Sequence, residues 1–128
     1  MSDYTIVNLK QIEDSVGQRI PQVEGRFGRR HLDSAHLGIS YFRYAPGFRS
    51  DTAHRHREQE EAYVVLSGSG RILLDGEVRE LAPWDVVRVS PATLRAIQAG
   101  PDGLEFLAIA SDRPEGGDGE SQPADWPG

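Results

Sequence analysis

The feature that most constrains the fold is a series of short apolar or alternating segments between residues 23 and 110, separated by glycine- and proline-containing turn signals. The Asp75-Gly76 pair between two apolar runs is typical of a two-residue β-hairpin. The sequence shows no convincing long helical pattern, and residues 6–16 predict only a short strand and a helical turn. Many short strands at close spacing predict an all-β sandwich or barrel. The further predicted strands span residues 25–32, 37–44, 53–56, 62–66, 70–75, 78–81, 86–89, 94–99 and 104–110.

Length and composition narrow the class of protein. A chain of 128 residues suits one domain, and 38% hydrophobic with 27% charged residues is typical of a folded chain. The absence of cysteine excludes a disulfide framework and a thiol nucleophile. Residues 1–20 hold no apolar stretch of signal-peptide length, and no run approaches a membrane span. We therefore expect a cytoplasmic protein without a membrane partner.

The charge is concentrated at the carboxyl end. The whole chain has a net charge of −6, and residues 111–128 alone account for −4 of it, so the rest of the chain is close to neutral. A near-neutral body argues against a nucleic-acid partner. Because residues 111–128 are also rich in glycine and proline, they predict a flexible acidic tail after one domain over residues 1–110. Trp126 is the one large aromatic residue that could dock this tail on the body.

Two histidines and a glutamate form the clearest candidate site. His54 and His56 are two residues apart on a predicted strand, so their side chains point to the same face. Glu61 begins the next predicted strand, and if its face is the barrel interior it meets both imidazoles. Two imidazoles and one carboxylate are a suitable ligand set for a divalent transition metal such as Zn, Ni, Fe or Mn. A register slip of one residue would present Glu60 instead of Glu61.

The wider frame of these residues resembles the first motif of the cupin superfamily. Six residues separate Gly47 from His54, four separate His56 from Glu61, and six separate Glu61 from Gly68; the first interval has one residue more than the motif. The resemblance implies a small double-stranded β-barrel (jelly-roll-like) over about residues 37–110, with an N-terminal arm. It also implies a metal or ligand pocket in the mouth of the barrel and a homodimeric assembly.

The second cupin motif keeps its spacing here but loses its characteristic residues. Trp84, Ser90 and Ala92 occupy the positions of a glycine, a proline and a second glycine, and Ala99 replaces an asparagine. Arg95 takes the position of the histidine that is the usual fourth metal ligand in the family. A guanidinium stays protonated and cannot bind a cation, so the fourth ligand is lost.

Arg95 leaves three alternatives open. The three remaining ligands still hold a metal while Arg95 contacts an anionic substrate, or Arg95 pairs with Glu61 and no metal binds, or Arg95 points out of the barrel. Tyr63 and the other aromatic residues of the predicted strands are core or pocket wall, and could form an apolar ligand site. The predicted ligand contacts are Arg95, Tyr63 and, if the register slips by one residue, Glu60.

The function predicted from these residues is binding of a small molecule, anionic if Arg95 contacts it, by a single-domain cupin with a divalent-metal site. Two alternatives from other classes stay open. One is a metal-dependent enzyme of the dioxygenase, isomerase or epimerase type, which needs open metal positions. The other is a metal-free ligand sensor or non-catalytic cupin, which the altered second motif favours.

Overall fold

The computed structural model describes residues 3–127, and its secondary structure is almost entirely β. A 3-10 helix at Leu9–Gln11 and a single helical turn, α1 at Arg29–Leu32, are the helices of this part of the chain. The strands are β1 Val23–Phe27, β2 Gly38–Tyr44, β3 Thr52–His56, β4 Glu61–Leu74, β5 Glu77–Leu81, β6 Val86–Val89, β7 Arg95–Ala110 and β8 Gly119–Pro123. No helix within residues 3–127 is long and apolar enough to cross a membrane.

All strand pairs are antiparallel, and the two longest strands organise them. β4 and β7 pair along most of their length; β7 continues through β2 to β1, whereas β4 also pairs with β5 and β6. β3 touches β7 at one position, where His54 lies opposite Arg95, and pairs along its whole length with β8. The predicted all-β barrel is confirmed. This single β3–β7 contact places Arg95 beside His54, one of the predicted metal ligands.

Two turns that the sequence predicts are instead bends within continuous strands. The segments at residues 67–70 and 100–103 lie inside β4 and β7, and the β4–β7 register shifts between Val65 and Ser67 and again between Gly68 and Gly70. Gly68 and Gly103 adopt φ angles of +82° and +81°, and the two backbones approach each other there. Glycine permits both the left-handed conformation and the close approach, so glycine turn signals here bend paired strands and do not end them.

We predict that Gly68→Ala lowers the free energy of unfolding by about 2 kcal/mol, as measured by urea denaturation. A methyl group at Gly68 would collide with the Gly103 carbonyl oxygen, in addition to straining a φ of +82°. Gly76→Ala is the matched control, because Gly76 has a φ of +87° with nothing within 4 Å of the added carbon. The control should lose only the roughly 1 kcal/mol of the backbone strain. Equal losses for the two variants would contradict the packing argument.

The predicted hairpin at Asp75-Gly76 is confirmed. Leu74 pairs with Glu77 across it, and Asp75 and Gly76 have φ angles of 48° and +87°, as a type I′ turn requires.

Trp84, at the position of a motif glycine, also has a positive φ, 72°, and its side chain is exposed. Its place in the second motif predicts that Trp84 fills the space that a glycine turn would leave, but with 77% of its surface exposed it does not pack there.

The barrel interior is filled by side chains from the strands on both sides of the β4–β7 pair. The main cluster contains Tyr63, Val65, Ile72, Leu81, Val89, Ile97, Ala99, Leu104, Phe106 and Ala108. A smaller cluster of Ala53, Leu73 and Ala96 lies beside it, with Ala124 and Trp126 packed against it. Alternate residues of a strand point to the same side of the sheet, so the apolar residues that alternate in the sequence come together in these clusters.

The two ends of the chain differ from their predictions. Residues 29–32, predicted as the end of a strand, form α1, and of the strand and helical turn predicted within residues 6–16 only the 3-10 turn is present. At the other end, residues 119–123 of the predicted flexible tail form β8, paired with β3 from Thr52 to His56. Trp126 Nε1 donates a hydrogen bond to the Ser50 carbonyl at 2.8 Å. A backbone ladder does not need apolar side chains, so composition alone did not reveal this strand.

Candidate metal centre

The structure brings together the side chains of His54, His56 and Glu61. One ligand atom from each lies within 4.8 Å of the others. Glu61 Oε1 is 3.4 Å from His54 Nε2 and 3.5 Å from His56 Nε2. Ligand atoms bound to one transition metal at about 2.1 Å lie about 3.0–3.4 Å apart, so these separations are close to those of a metal site. Strand parity places the two histidines on one face of β3, and β4 begins with Glu61 opposite them.

Glu61 is the electrostatic centre of the cluster. Its Oε1 accepts hydrogen bonds from the Tyr63 hydroxyl at 2.8 Å and from an Arg95 terminal nitrogen at 2.7 Å. Burial opposes ionisation of Glu61, but the hydrogen bonds from His54, Tyr63 and Arg95 outweigh it and lower the pKa of Glu61 to about 2. Burial likewise raises the pKa of the Tyr63 hydroxyl, so Tyr63 stays a neutral donor. Glu61 is therefore a carboxylate at any physiological pH.

Arg95 is buried behind Glu61. Its side chain is 1% exposed, and Nε donates to the Tyr63 hydroxyl at 3.2 Å. One terminal nitrogen donates to the carbonyls of Pro91 and Thr93, and the other donates to Glu61. These four contacts occupy most of the five N–H groups of a guanidinium. Of the three arrangements considered for Arg95, the structure shows the ion pair with Glu61, and the guanidinium does not point out of the barrel.

Glu60 does not join the cluster. Its carboxylate is exposed and pairs with Arg88 at 3.1 Å, while its backbone nitrogen donates to the Ser111 hydroxyl. The strand register therefore presents Glu61 to the histidines and turns Glu60 to the surface. Tyr63, in contrast, is buried and contacts Glu61 and Arg95, so it orients the carboxylate and is not exposed to a ligand.

Asp118 is a site residue that the sequence did not reveal. It is buried and its Oδ1 lies 2.8 Å from His56 Nδ1, on the side of the ring away from Glu61. Gln59 also donates to Oδ1, and the backbone nitrogens of Glu58 and Gln59 donate to Oδ2. Burial opposes ionisation, but these hydrogen bonds hold the pKa of Asp118 below its usual range. No signal in the sequence separates Asp118 from the other acids of its glycine-rich segment.

His56 Nε2 provides a test of whether the residues fit a metal. Within residues 3–127 it is the one buried side-chain nitrogen or oxygen that lacks a hydrogen-bond partner. A buried polar atom without a partner is unfavourable, and such atoms in native proteins usually await a water, ion or ligand. Since Nε2 faces His54 and Glu61, the three donors fit a divalent cation. Arg95 opposes the fit, because it shares Oε1 of Glu61 and neutralises its charge.

A cavity of about 680 Å³ opens beside the cluster. His56, Gln59 and Glu61 are in its wall, together with the aromatic rings of Phe27 and Phe42. Three arginines also line it: Arg29, Arg30 and Arg113. A volume of this size is that of a small-molecule pocket. Most of its lining residues are polar or charged, and they include the acids Glu13 and Asp33 as well as the arginines.

Comparison with known proteins identifies the family and the fold. A family model described as a cupin domain matches residues 40–109. No curated protein matches the chain in sequence. Among solved structures, a cupin protein from Bacteroides fragilis is 27% identical, with a TM-score of 0.73 over 88% of this chain and 86% of that one.

Two more distant structures share the fold. The polyketide cyclase RemF from Streptomyces resistomycificus is 18% identical with a TM-score of 0.74, over 96% of this chain and 87% of that one. A salicylate 1,2-dioxygenase from Pseudaminobacter salicylatoxidans is 16% identical with a TM-score of 0.63, over 72% of this chain and 27% of that one. Because the same fold carries such different reactions, likeness of fold does not identify the reaction of this chain.

Proposed function

The chain belongs to the cupin domain family, and on that premise we propose that it binds a small molecule in the barrel cavity beside a divalent metal held by His54, His56 and Glu61. The observation that carries the proposal is the unpartnered, buried His56 Nε2, which faces the other two donors. A bound cation would give this nitrogen the partner that the protein does not provide.

The three donor side chains indicate which metals the site would bind and what chemistry a bound metal would supply. Two imidazoles and a carboxylate suit Zn, Ni, Fe or Mn, and such a metal, when bound, polarises an oxygen of its substrate as a Lewis acid. The surrounding residues hold these donors in place: Tyr63 and Arg95 orient Glu61, and Asp118 contacts His56. An enzyme of the dioxygenase, isomerase or epimerase type is compatible with this arrangement.

The cavity wall supports an anionic small molecule with an apolar part as the ligand. Arg29 lines the cavity and already donates to the Ser111 carbonyl at 2.6 Å, which orients its guanidinium. Arg113 lines the same cavity, and Phe27 and Phe42 form an apolar wall in edge-to-face contact. Arginine binds carboxylates and phosphates through paired N–H groups, so these residues replace Arg95 as the proposed anion contacts.

A homodimer belongs to the same proposal. β1 pairs only with β2 within the described residues and so forms a sheet edge, and Phe27 at its end is 46% exposed. An open edge strand beside an exposed aromatic side chain is a suitable surface for a second copy of the chain.

The ion pair between Arg95 and Glu61 favours a second candidate, a metal-free ligand-binding cupin. At 2.7 Å this pair neutralises the only carboxylate of the three donors. Elemental analysis of the purified protein separates the candidates, because a stoichiometric transition metal supports the metal site and its absence after metal supplementation supports the metal-free protein.

We predict that Arg95→His tightens Ni²⁺ or Zn²⁺ binding by about tenfold or more, equivalent to about 1.4 kcal/mol. The substitution removes a positive charge next to the site and places an imidazole opposite His54, where it can act as a fourth ligand. Calorimetric titration of both proteins with the metal alone measures the change.

Arg88→His is the matched control for this experiment. Arg88 also pairs with a glutamate, Glu60, but both side chains are exposed and lie outside the cluster. The control should bind metal as the unsubstituted protein does. Unchanged affinity in Arg95→His, with circular dichroism showing a folded protein, would contradict the placement of residue 95 beside the metal ligands. A parallel titration with small carboxylates tests the anionic ligand, and Arg29→Gln should weaken that binding without changing metal affinity.

A further inference from the structure

We infer that Asp118 is a positioning residue that holds His56 in one tautomer, with the proton on Nδ1 and the lone pair of Nε2 directed into the site. The inference deepens the proposed function and rests on it only where Nε2 is said to bind metal. It assigns a role to a residue of the C-terminal segment that lies 62 residues from His56 along the chain.

The contacts of Asp118 determine the tautomer. A carboxylate only accepts hydrogen bonds, and Asp118 Oδ1 is 2.8 Å from His56 Nδ1, so Nδ1 must carry a proton. A neutral imidazole has a single N–H, and its other nitrogen then has a lone pair. That other nitrogen is Nε2, the buried atom without a partner. Carboxylates behind metal-binding histidines orient them and fix their tautomer in the same way.

Asp118 is itself held rigidly. Its Oδ2 accepts hydrogen bonds from the backbone nitrogens of Glu58 at 2.7 Å and Gln59 at 2.9 Å. The Gln59 side-chain nitrogen donates to Oδ1 at 2.7 Å. The neighbouring residue, Gly119, pairs with His56 in the β3–β8 ladder, which brings the C-terminal segment directly against the histidine. All four partners of Asp118 are donors, so its site is built for a carboxylate.

This arrangement gives Asp118→Asn a specific expected effect. An asparagine has the same shape but offers an NH₂ group in place of one oxygen. If its oxygen keeps the backbone N–H groups of Glu58 and Gln59, its NH₂ group faces His56 Nδ1 and the Gln59 side chain. Gln59 can reverse its amide by giving up the 3.5 Å hydrogen bond that its Oε1 accepts from Arg29, and His56 can accept only by moving its proton to Nε2. Asp118→Asn should therefore invert the tautomer and remove the free lone pair from the site.

The test is long-range ¹H–¹⁵N NMR of the full-length, ¹⁵N-histidine-labelled, metal-free protein at about pH 8.5, where ordinary histidines are neutral. We expect His56 with its proton on Nδ1 in the unsubstituted protein and on Nε2 in Asp118→Asn. Calorimetric titration with Ni²⁺ alone should show about 10- to 100-fold weaker binding in the variant. Asp112→Asn is the matched control: Asp112 contacts His36 Nδ1 at 2.9 Å on the surface, and its substitution should change neither the His56 tautomer nor the affinity.

The outcomes separate this inference from the proposed function. A proton on His56 Nε2 in the unsubstituted protein overturns the role of Asp118, and this measurement needs no folded variant. An unchanged tautomer in folded Asp118→Asn overturns it as well. If the tautomer behaves as expected but no protein binds Ni²⁺, the role of Asp118 is supported and the metal site is overturned. If Ni²⁺ binds and Asp118→Asn weakens it without a change of tautomer, the metal site is supported and the tautomer mechanism is overturned.

Discussion

Replacing Arg95 with methionine is expected to lower the free energy of unfolding by about 3–5 kcal/mol. The guanidinium is 1% exposed and donates to Glu61, Tyr63 and two backbone carbonyls. Methionine fills much of the same volume but leaves the partly buried Glu61 carboxylate without its counter-charge and the carbonyls without donors. Breaking one side of a buried ion pair is more destabilising than the pair itself is stabilising, because the remaining charge stays desolvated. Urea denaturation at neutral pH measures the loss.

Two further variants make this result specific. Arg88→Met breaks the exposed Arg88–Glu60 pair, which is chemically the same, and should change stability by about 1 kcal/mol or less. Combining Arg95→Met with Glu61→Gln removes both charges, so the double variant should lose less stability than the sum of the single variants. A loss below about 1 kcal/mol in Arg95→Met would mean that the guanidinium is not the buried partner of Glu61.

Truncation after Pro114 is expected to lower stability by about 3 kcal/mol, because it removes Asp118, β8 and Trp126 together. Without Asp118 the backbone nitrogens of Glu58 and Gln59 lose their acceptor, and Gln59 is a buried residue. A buried, unsatisfied N–H group costs about 1–3 kcal/mol. The melting temperature should fall by roughly 10 °C, as measured by differential scanning calorimetry. From composition alone, the expected change is close to zero.

A shorter truncation distinguishes the parts of this segment. Ending the chain at Asp125 removes Trp126, with its hydrogen bond to Ser50, and leaves β8 and Asp118 in place. The free energy of unfolding of this variant should be lower by about 1 kcal/mol. Most of the stability lost in the longer truncation is then due to β8 and Asp118. A melting temperature within about 2 °C of the full chain after the longer truncation would show that the segment does not stabilise the barrel.

Several parts of the fold could be predicted because they depend on local rules. The side-chain alternation of a strand places His54 and His56 on one face whatever lies beyond it. Asp75-Gly76 forms its hairpin because both residues tolerate positive φ. The spacing of the two histidines and Glu61 between a preceding and a following glycine is enough to indicate the family. In each case a short stretch of chain contains the whole cause.

Other features depended on contacts between distant segments. Gly68 and Gly103 act as bends and not as turns because the paired backbones of β4 and β7 approach closely there, and neither segment contains that information alone. Arg95 could have contacted a ligand, Glu61 or solvent, and the β3–β7 pairing decided among them. The role of Asp118 required β8 to lie beside β3, across a separation of 62 residues. Local propensity determines the backbone conformation and the side of a strand to which each side chain points. The partner of a buried charge is determined by which elements the tertiary fold brings within hydrogen-bond distance.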